Sequence, residues 1–320
     1  MRTLFLTLIA LLLTTSGAWG RQPDFVVAKD GSGNFKTVQE AISAVPDFRK
    51  KETVIYIKKG IYKEKLILPA TKINVHFIGE DADSVVLTYD DYAARKNIFG
   101  EEIGTSGSAS FFIHGDGFTA EQISFANSAG PVGQAVAVRV AADRVRFFGC
   151  KFLGFQDTLY TWAQGGAGRQ YYKDCYIEGT VDFIFGSSTA VFETCRIFGK
   201  GPGYLTAAST PDTARYGYVF IHCRIEGNAP DATIYLGRPW RPYAKTVWIG
   251  CEMAAVVRPE GWHNWGKPGA EKTTFYAEYR SRGKGAAKTK RVAWAHPLTG
   301  QQAAAYTPAR IFRGWEEYRK

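Results

Sequence analysis

Histidine is scarce in this 320-residue sequence, and the residue spacings of metal-binding motifs are missing. It contains five His, and none of them forms an H-E-x-x-H motif. The five Cys include no C-x-x-C pair, so the spacings of zinc fingers and zinc hydrolases are both missing. The G-x-S-x-G turn that carries the serine nucleophile of α/β hydrolases is also missing. We therefore expect no metal and no cofactor, and any hydrolytic chemistry must come from other side chains.

Long apolar runs are missing after the first twenty residues. Arg2 is followed by the apolar run Leu4–Leu13 and then by the small-residue stretch GAWG, which ends at Gly20. This order is typical of a secretory signal peptide, whereas a membrane anchor would need about 20 apolar residues. We predict a signal peptide over residues 1–20 and one domain over residues 21–320. The protein is expected to be exported, either secreted or periplasmic, and not to reside in a membrane.

Acidic residues are fewer than basic ones. The chain has 30 Asp and Glu against 40 Lys and Arg, which gives a formal net charge of +10. In an exported protein this balance favours an acidic partner, such as nucleic acid, anionic lipid or an acidic polysaccharide. The most basic stretch, Arg280–Arg291, is better explained as a solvated loop than as a binding stripe. We therefore do not expect nucleic acid to be the partner.

The cysteines mark a repeat. They stand 25, 20, 28 and 28 residues apart, and an apolar residue follows each of them at the second position. Short alternating apolar stretches with a period of 20 to 28 residues are typical of a β-solenoid. The sequence therefore predicts an all-β fold, a right-handed parallel β-helix of about eight to ten coils. The repeat is headed by Cys150, Cys175, Cys195, Cys223 and Cys251.

Two further features complete the predicted architecture. Val38, Ala41, Ile42 and Val45 have helical spacing and predict a short N-terminal helix that caps the open end of the solenoid. The tail after about Tyr279 is expected to form loops and a short helix that cover the other end or one flank. Packing in the core is the favoured role of the cysteines, and a disulfide between Cys175 and Cys195 is left open as the alternative.

One slot of the repeat carries aspartate twice. Asp157 and Asp182 both stand seven residues after a Cys, where later coils have Pro202, Pro230 and Arg258. Neighbouring strands lie about 4.8 Å apart, so the two carboxyl groups are expected to meet across one coil. Repulsion between them raises one pKa, which allows one to act as an acid while the other stays charged. The alternative is a surface turn in which each Asp bonds to the backbone.

Neighbouring residues extend the candidate site. The amides of Gln156 and Gln134 could stabilise an oxyanion during acyl transfer. The guanidinium of Arg238 could keep one Asp ionised, and Trp240 offers a flat surface for a sugar ring. Carboxylates about 5 Å apart also occur in retaining glycosidases, so the pair alone does not choose the reaction.

Eight ordered motifs give the chain a resemblance to the pectin methylesterase family of carbohydrate esterases. The resemblance covers nearly the whole chain after residue 20 and implies a parallel β-helix that hydrolyses methyl esters of polygalacturonate, the backbone of pectin. The motifs are DGSGNFKTVQEAI, GIYKE, GTSGSASF, QAVAVRV, GFQDTLY, GTVDFIFG, YLGRPW and GWHNW.

The resemblance also implies roles for single residues. Asp182 matches the nucleophile, and Asp157 matches the general acid that later acts as a base. Gln156 and Gln134 match the oxyanion donors, and Arg238 matches the residue that holds the nucleophile. The residues expected to bind substrate are Trp240, Thr105, Phe155, Tyr160 and Phe185.

Two positions depart from the family pattern. Phe155 stands where Tyr is frequent, and Ser187 stands where Asn is common. The expected protein is a monomer that binds pectin and needs no metal or cofactor. Two rival functions stay open: a glycoside hydrolase or lyase on the same solenoid, and a carbohydrate-binding solenoid without catalysis.

Overall fold

The chain winds into a coil whose strands stack in three long faces. This is seen in a computed structural model that describes residues 22–163, 168–286 and 290–319. The strands of each face pair in parallel with the equivalent strands of the coils before and after. The predicted parallel β-helix is therefore confirmed. The predicted signal peptide, residues 1–20, lies outside the described residues.

The faces are defined by their strands. Face one is a sheet of eleven strands: β1 (Phe25–Val27), β2 (Thr53–Ile57), β5 (Val75–Gly79), β8 (Thr119–Glu121), β11 (Val145–Phe148), β14 (Arg169–Lys173), β16 (Thr189–Glu193), β18 (Tyr218–Ile221), β21 (Lys245–Ile249), β23 (Phe275–Tyr279) and β24 (His296–Pro297). Face two contains β3 (Gly60–Lys63), β6 (Val85–Tyr89), β9 (Ser124–Asn127), β12 (Lys151–Leu153), the first halves of β15 (Tyr176–Gly186) and β17 (Arg196–Ala208), β19 (Arg224–Gly227) and β22 (Glu252–Met253). Face three contains β4 (Leu66–Leu68), β7 (Phe111–Ile113), β10 (Val138–Val140), β13 (Leu159–Thr161), the second halves of β15 and β17, and β20 (Ile234–Gly237).

Helices are short in the described part of the chain. They are α1 (Val38–Ala44), α2 (Gly104–Gly107), α3 (Gly300–Ala303) and α4 (Pro308–Ile311), with 3₁₀ turns at Pro268–Lys272 and Glu316–Arg319. No described helix is both long enough and apolar enough to cross a bilayer.

The helix α1 forms where the apolar spacing predicted it. Thr37 and Glu40 make a capping box at its start, and Val38, Ala41 and Ile42 are buried. These three side chains join the interior cluster of the coil. The helix is thus part of the core, while its role as a cap over the end of the solenoid stays a prediction.

Each Cys of the repeat follows a sharp corner between face one and face two. The residue before it has a positive φ in every case: Gly149, Asp174, Thr194, His222 and Gly250. This left-handed conformation reverses the direction of the chain within one residue. The Cys side chain then points into the coil, where the five thiols are buried and free. The core-packing interpretation of the cysteines therefore agrees with the structure, and the disulfide alternative does not.

Aromatic rings line up inside the coil along face one. Phe147, Tyr172, Phe192, Phe220 and Trp248 occupy equivalent positions on successive strands. Their centroids are separated by 5.1, 4.6, 4.5 and 3.8 Å, and the planes are nearly parallel. Such stacking favours one register, because a slip by one residue would turn every ring out of the core.

The C-terminal tail covers the outer side of face one. Side chains from α4 and the residues after it, Ile311, Phe312, Trp315 and Tyr318, pack on outward-facing residues of five strands. From β14 to β21, face one is thus buried on both sides, which explains the nearly continuous apolar strands there. Of the two expected arrangements, the tail therefore adopts the one in which it covers a flank. It contributes strand β24 as well as helical turns.

The buried cysteines give a direct test of the core. We expect protein unfolded in guanidinium chloride without reductant to titrate five thiols, and native protein to react with almost none. Ellman's reagent provides the count. A count of three in the unfolded protein, which is five minus the two consumed by one disulfide, would contradict the free thiols of the structure.

Candidate active site

The strand register brings the two aspartates side by side. Leu159 of β13 pairs with Ile184 of β15, which sets Asp157 level with Asp182. The backbone N–H of Asp157 donates to the carbonyl of Val181 over 3.1 Å. As whole residues, Asp157 and Asp182 are 7% and 5% exposed. Two buried Asp residues therefore stand side by side on neighbouring strands, whose backbones lie about 4.8 Å apart.

Both aspartates sit in the left-handed region of backbone conformation. The φ angle is 65° at Asp157 and 52° at Asp182, and β15 has register shifts on either side of Val181. Asp tolerates this region better than most residues. Close packing requires the Gly that stands three residues before each Asp. A Cβ at Gly179 would lie 2.5 Å from the carbonyl oxygen of Phe155, and one at Gly154 would lie 2.6 Å from Oγ1 of Thr158.

Arg238 binds only one member of the pair. Its Nε and Nη2 donate to Oδ1 and Oδ2 of Asp182 over 2.9 and 2.7 Å. The guanidinium lies between two aromatic rings, 3.8 Å from the centroid of Tyr204 and 3.6 Å from that of Trp265. The bidentate bond and the two stacking contacts fix the orientation of Asp182.

The two carboxyl groups differ in protonation. Burial raises the pKa of Asp157 well above its usual range, and the charge of Asp182 raises it further, against a smaller opposing effect of Arg238. Burial also raises the pKa of Asp182, but the hydrogen bonds and charge of Arg238 oppose this rise. On increasing pH, Asp182 therefore loses its proton first, and Asp157 stays protonated over the range in between.

Two glutamines stand beside the pair. Gln134 and Gln156 meet in a parallel bridge, and the N–H of Ala135 donates to the carbonyl of Gln156 over 3.2 Å. In the described part of the chain, neither side-chain amide has a hydrogen-bond partner. Their N–H groups are thus available to an acceptor in the cavity.

Aromatic rings form one wall of the cavity. Tyr160 and Phe185 stack with centroids 4.3 Å apart, and Trp240 lies 5.9 Å from Phe185. The cavity has a volume of about 390 Å³. Among its lining residues are Thr105, Ser106, Gln134, Gln156, Asp157, Tyr160, Asp182, Phe185, Arg238, Trp240 and Trp265. Within residues 22–163, 168–286 and 290–319, no cluster of His, Cys, Asp and Glu could hold a metal ion.

Comparison with known proteins assigns the chain to a family. A sequence profile described as pectinesterase matches residues 24–315. The chain belongs to the pectinesterase family. It is therefore an enzyme of the carboxylic ester hydrolase class.

Individual relatives agree with this family. Pectinesterase 31 of Arabidopsis thaliana is 42% identical over 288 residues, which cover 88% of this chain and 89% of the relative. The solved pectin methylesterase from carrot is 35% identical, with a TM-score of 0.84 over 93% of this chain and 95% of that one. A pectin methylesterase solved in complex with hexasaccharide VII is 30% identical, with a TM-score of 0.80 over 92% of this chain and 98% of that one.

Nine of the ten residues predicted from the sequence of this pectinesterase line the cavity. Phe155 is not among the lining residues, and its ring instead contacts Nζ of Lys200 at 3.6 Å. A substrate-binding role for Phe155 therefore stays a prediction. Ser187 is the other residue that departs from the family pattern. Its hydroxyl accepts a hydrogen bond from the N–H of Ala163 over 3.1 Å, and it lines a neighbouring groove.

Sequence reasoning missed the two rings around Arg238. Tyr204 lies on the coil between Asp182 and Arg238, so the repeat alone could have located it. Trp265 ends the motif GWHNW, which carries the family resemblance but to which the sequence assigns no role. Arg238 reaches Asp182 because its long side chain extends across the coil of Tyr204.

The raised pKa of Asp157 predicts how replacement of this residue changes the stability of the fold. The folded protein holds a proton that the unfolded chain releases at a pKa of about 3.9, so wild-type stability falls as pH rises above that value. Asp157→Asn carries no such proton. We expect its melting temperature relative to wild type to increase steadily from about pH 4 upward, as measured by calorimetry. A difference in melting temperature between variant and wild type that stays constant from about pH 3 to about pH 8 would contradict the raised pKa of Asp157.

Proposed function

We propose that this enzyme hydrolyses the methyl esters of polygalacturonate in pectin and releases methanol and free carboxylate. The single observation that carries the proposal is a buried, in-register pair of aspartates in which only Asp182 is bound by Arg238. Relatives named as pectin methylesterases, one of them in complex with a hexasaccharide, support the substrate class. The enzyme is proposed to act as an exported monomer.

Asp182 is the proposed nucleophile. One of its oxygens attacks the ester carbonyl carbon and forms a C–O bond, while the carbonyl π electrons move to oxygen. Collapse of this tetrahedral intermediate breaks the bond to the methoxy oxygen and leaves an acyl-enzyme anhydride. The bidentate bond to Arg238 holds the carboxylate charged and oriented for this attack.

Asp157 is the proposed proton donor and then the proton acceptor. Methoxide is a poor leaving group, so a proton from the carboxyl of Asp157 leaves with it as methanol. Asp157 is then a carboxylate and takes a proton from water, whose oxygen attacks the anhydride. This step restores the Asp182 carboxylate and the protonated Asp157, and it releases the galacturonate product.

The remaining residues stabilise and position the substrate. The amides of Gln134 and Gln156 donate to the carbonyl oxygen as negative charge develops there, and loss of one such donor costs about 10²–10³ in rate. Trp240, Tyr160 and Phe185 offer apolar ring faces for the sugar, and Thr105 offers a hydroxyl. Together they hold the ester over Asp182.

Replacement of the nucleophile tests the reaction. We expect Asp182→Asn to reduce methanol release from methylated pectin by at least about a thousandfold, since an amide cannot form the anhydride. Asn tolerates the left-handed backbone, so the fold should survive. Asp174→Asn is the matched control, because Asp174 has a φ of 54° on an exposed corner.

The same assay separates the rival reactions. A reducing-end assay should show no chain cleavage by the wild type. Methanol release that persists in Asp182→Asn would refute the nucleophile, and new reducing ends would favour a glycoside hydrolase.

The difference in pKa between Asp157 and Asp182 predicts a bell-shaped pH profile of activity. The value of kcat/KM should rise as Asp182 ionises and fall as Asp157 loses its proton at higher pH. Arg238→Lys should move the rising limb to higher pH and lower the maximum about ten- to a hundredfold, since Lys loses the bidentate bond and the stacking. Arg258→Lys is the control, because Arg258 stacks on Tyr235 outside the cavity. An unmoved rising limb in Arg238→Lys would contradict the role of Arg238.

A further inference from the structure

Two residues that line the cavity, Gln134 and Thr105, stand outside the long strands. Gln134 is exposed and follows residues 128–133, which form no strand, while Thr105 lies in the single turn of α2. The register that places the two aspartates therefore does not by itself place these two side chains. Their positions depend on contacts that hold their backbone segments.

The buried side chain of Asn127 joins the segments around them. Its Nδ2 donates to the carbonyls of Asp91, Val136 and Ser108 over 2.8, 3.0 and 3.3 Å, and its Oδ1 accepts from the N–H of Ala129 over 3.0 Å. Asn127 is 6% exposed. A buried carbonyl without a partner is costly, so this one amide holds three stretches of backbone close together.

Ser108 adds a second buried link between two of these segments. Its hydroxyl accepts from the N–H of Val136 over 3.2 Å and donates to the carbonyl of Thr105 over 2.8 Å. Ser108 is fully buried. We call Asn127 and Ser108 the buried clamp.

The buried clamp lies beside a backbone bond of Gln134. The N–H of Ala93 donates to the carbonyl of Gln134 over 2.8 Å. Ala93 stands two residues after Asp91, and Gln134 stands two residues before Val136. Since Asn127 holds the carbonyls of Asp91 and Val136, it also keeps Ala93 and Gln134 within reach of each other.

Neither member of the buried clamp lines the cavity. Asn127 and Ser108 can therefore affect the reaction only through residues that do line it. Gln134 depends on them most, because its amide has no partner among the described residues and its backbone is held from the side of the clamp.

We propose that Asn127 and Ser108 are positioning residues that set the amide of Gln134 at the site where the oxyanion develops. This inference rests on the proposed function. An oxyanion donor acts in the transition state, so its displacement lowers kcat more than it raises KM. A misplacement of about 1 Å can cost about a hundredfold in rate.

A double-mutant cycle on methanol release from methylated pectin tests the proposal. We expect Asn127→Ala to lower kcat about ten- to a hundredfold and Ser108→Ala about three- to tenfold, with KM changed less than about twofold. In a Gln134→Ala background each further loss should shrink to less than about twofold, because the donor that the clamp positions is gone. In a Gln156→Ala background each loss should persist in full.

The folded state of each variant is checked by circular dichroism, and rates are measured well below its melting temperature. If Asn127→Ala does not fold, Ser108→Ala carries the test, because Nζ of Lys65 still donates to the carbonyl of Gly107 over 2.9 Å and anchors α2.

The matched control is Ser124→Ala. Ser124 lies on the same strand as Asn127, is 2% exposed, and donates through its hydroxyl to the carbonyl of Ala82 over 2.6 Å, away from the cavity. Its replacement should lower the melting temperature but leave kcat unchanged. Losses of kcat that are as large without Gln134 as with it would overturn the proposal. An unchanged kcat in the folded clamp variants, or an equal loss in Ser124→Ala, would do the same.

A nitrogen-15 NMR spectrum of the side-chain amides tests the buried clamp without catalysis. The signals of Gln134 are those missing from Gln134→Ala. They should shift in both clamp variants and stay in place in Ser124→Ala. If they shift in this way but no pectin yields methanol, the proposed function fails and the clamp stands. If methanol is released but the signals do not move, the clamp fails alone.

Discussion

The parallel register between β13 and β15 is the constraint on which the site depends. It places Asp157 and Asp182 side by side on neighbouring strands in a buried position, where it is costly to charge both carboxyl groups. The register itself is fixed by the interior of the coil, where stacked rings and buried thiols repeat from strand to strand. The core of the solenoid thus determines the chemistry of the cavity.

The symmetry of the two aspartates is broken by one cation. A repeat that places like residues in like positions would give two equal acids. Arg238 binds Asp182 alone, and its own position is fixed between Tyr204 and Trp265. Because the guanidinium is delocalised and planar, it can stack on both rings and donate to both carboxylate oxygens at once. The resulting difference in pKa gives each carboxyl a separate task.

Much of this arrangement could be predicted from the sequence because the fold repeats. The Cys spacing predicted the coil, and the shared slot predicted the meeting of Asp157 and Asp182. The position of Trp265 could not be predicted in this way, since it lies in a turn that follows the bridge between Gly237 and Trp262, outside the regular strands. The flank that the C-terminal tail covers could not be predicted either, because the tail and the strands on which it packs lie far apart in the sequence.

The central claim is that one carboxyl is charged while its neighbour holds a proton. Carbon-13 NMR titration of the Asp side-chain carboxyl groups tests it most directly. The account predicts that Asp182 titrates first, that Asp157 titrates at distinctly higher pH, and that Asp182→Asn lowers the pKa of Asp157 by removing its charged neighbour. Titration of both groups together near the ordinary value of about 3.9, or loss of the proton from Asp157 first, would contradict it.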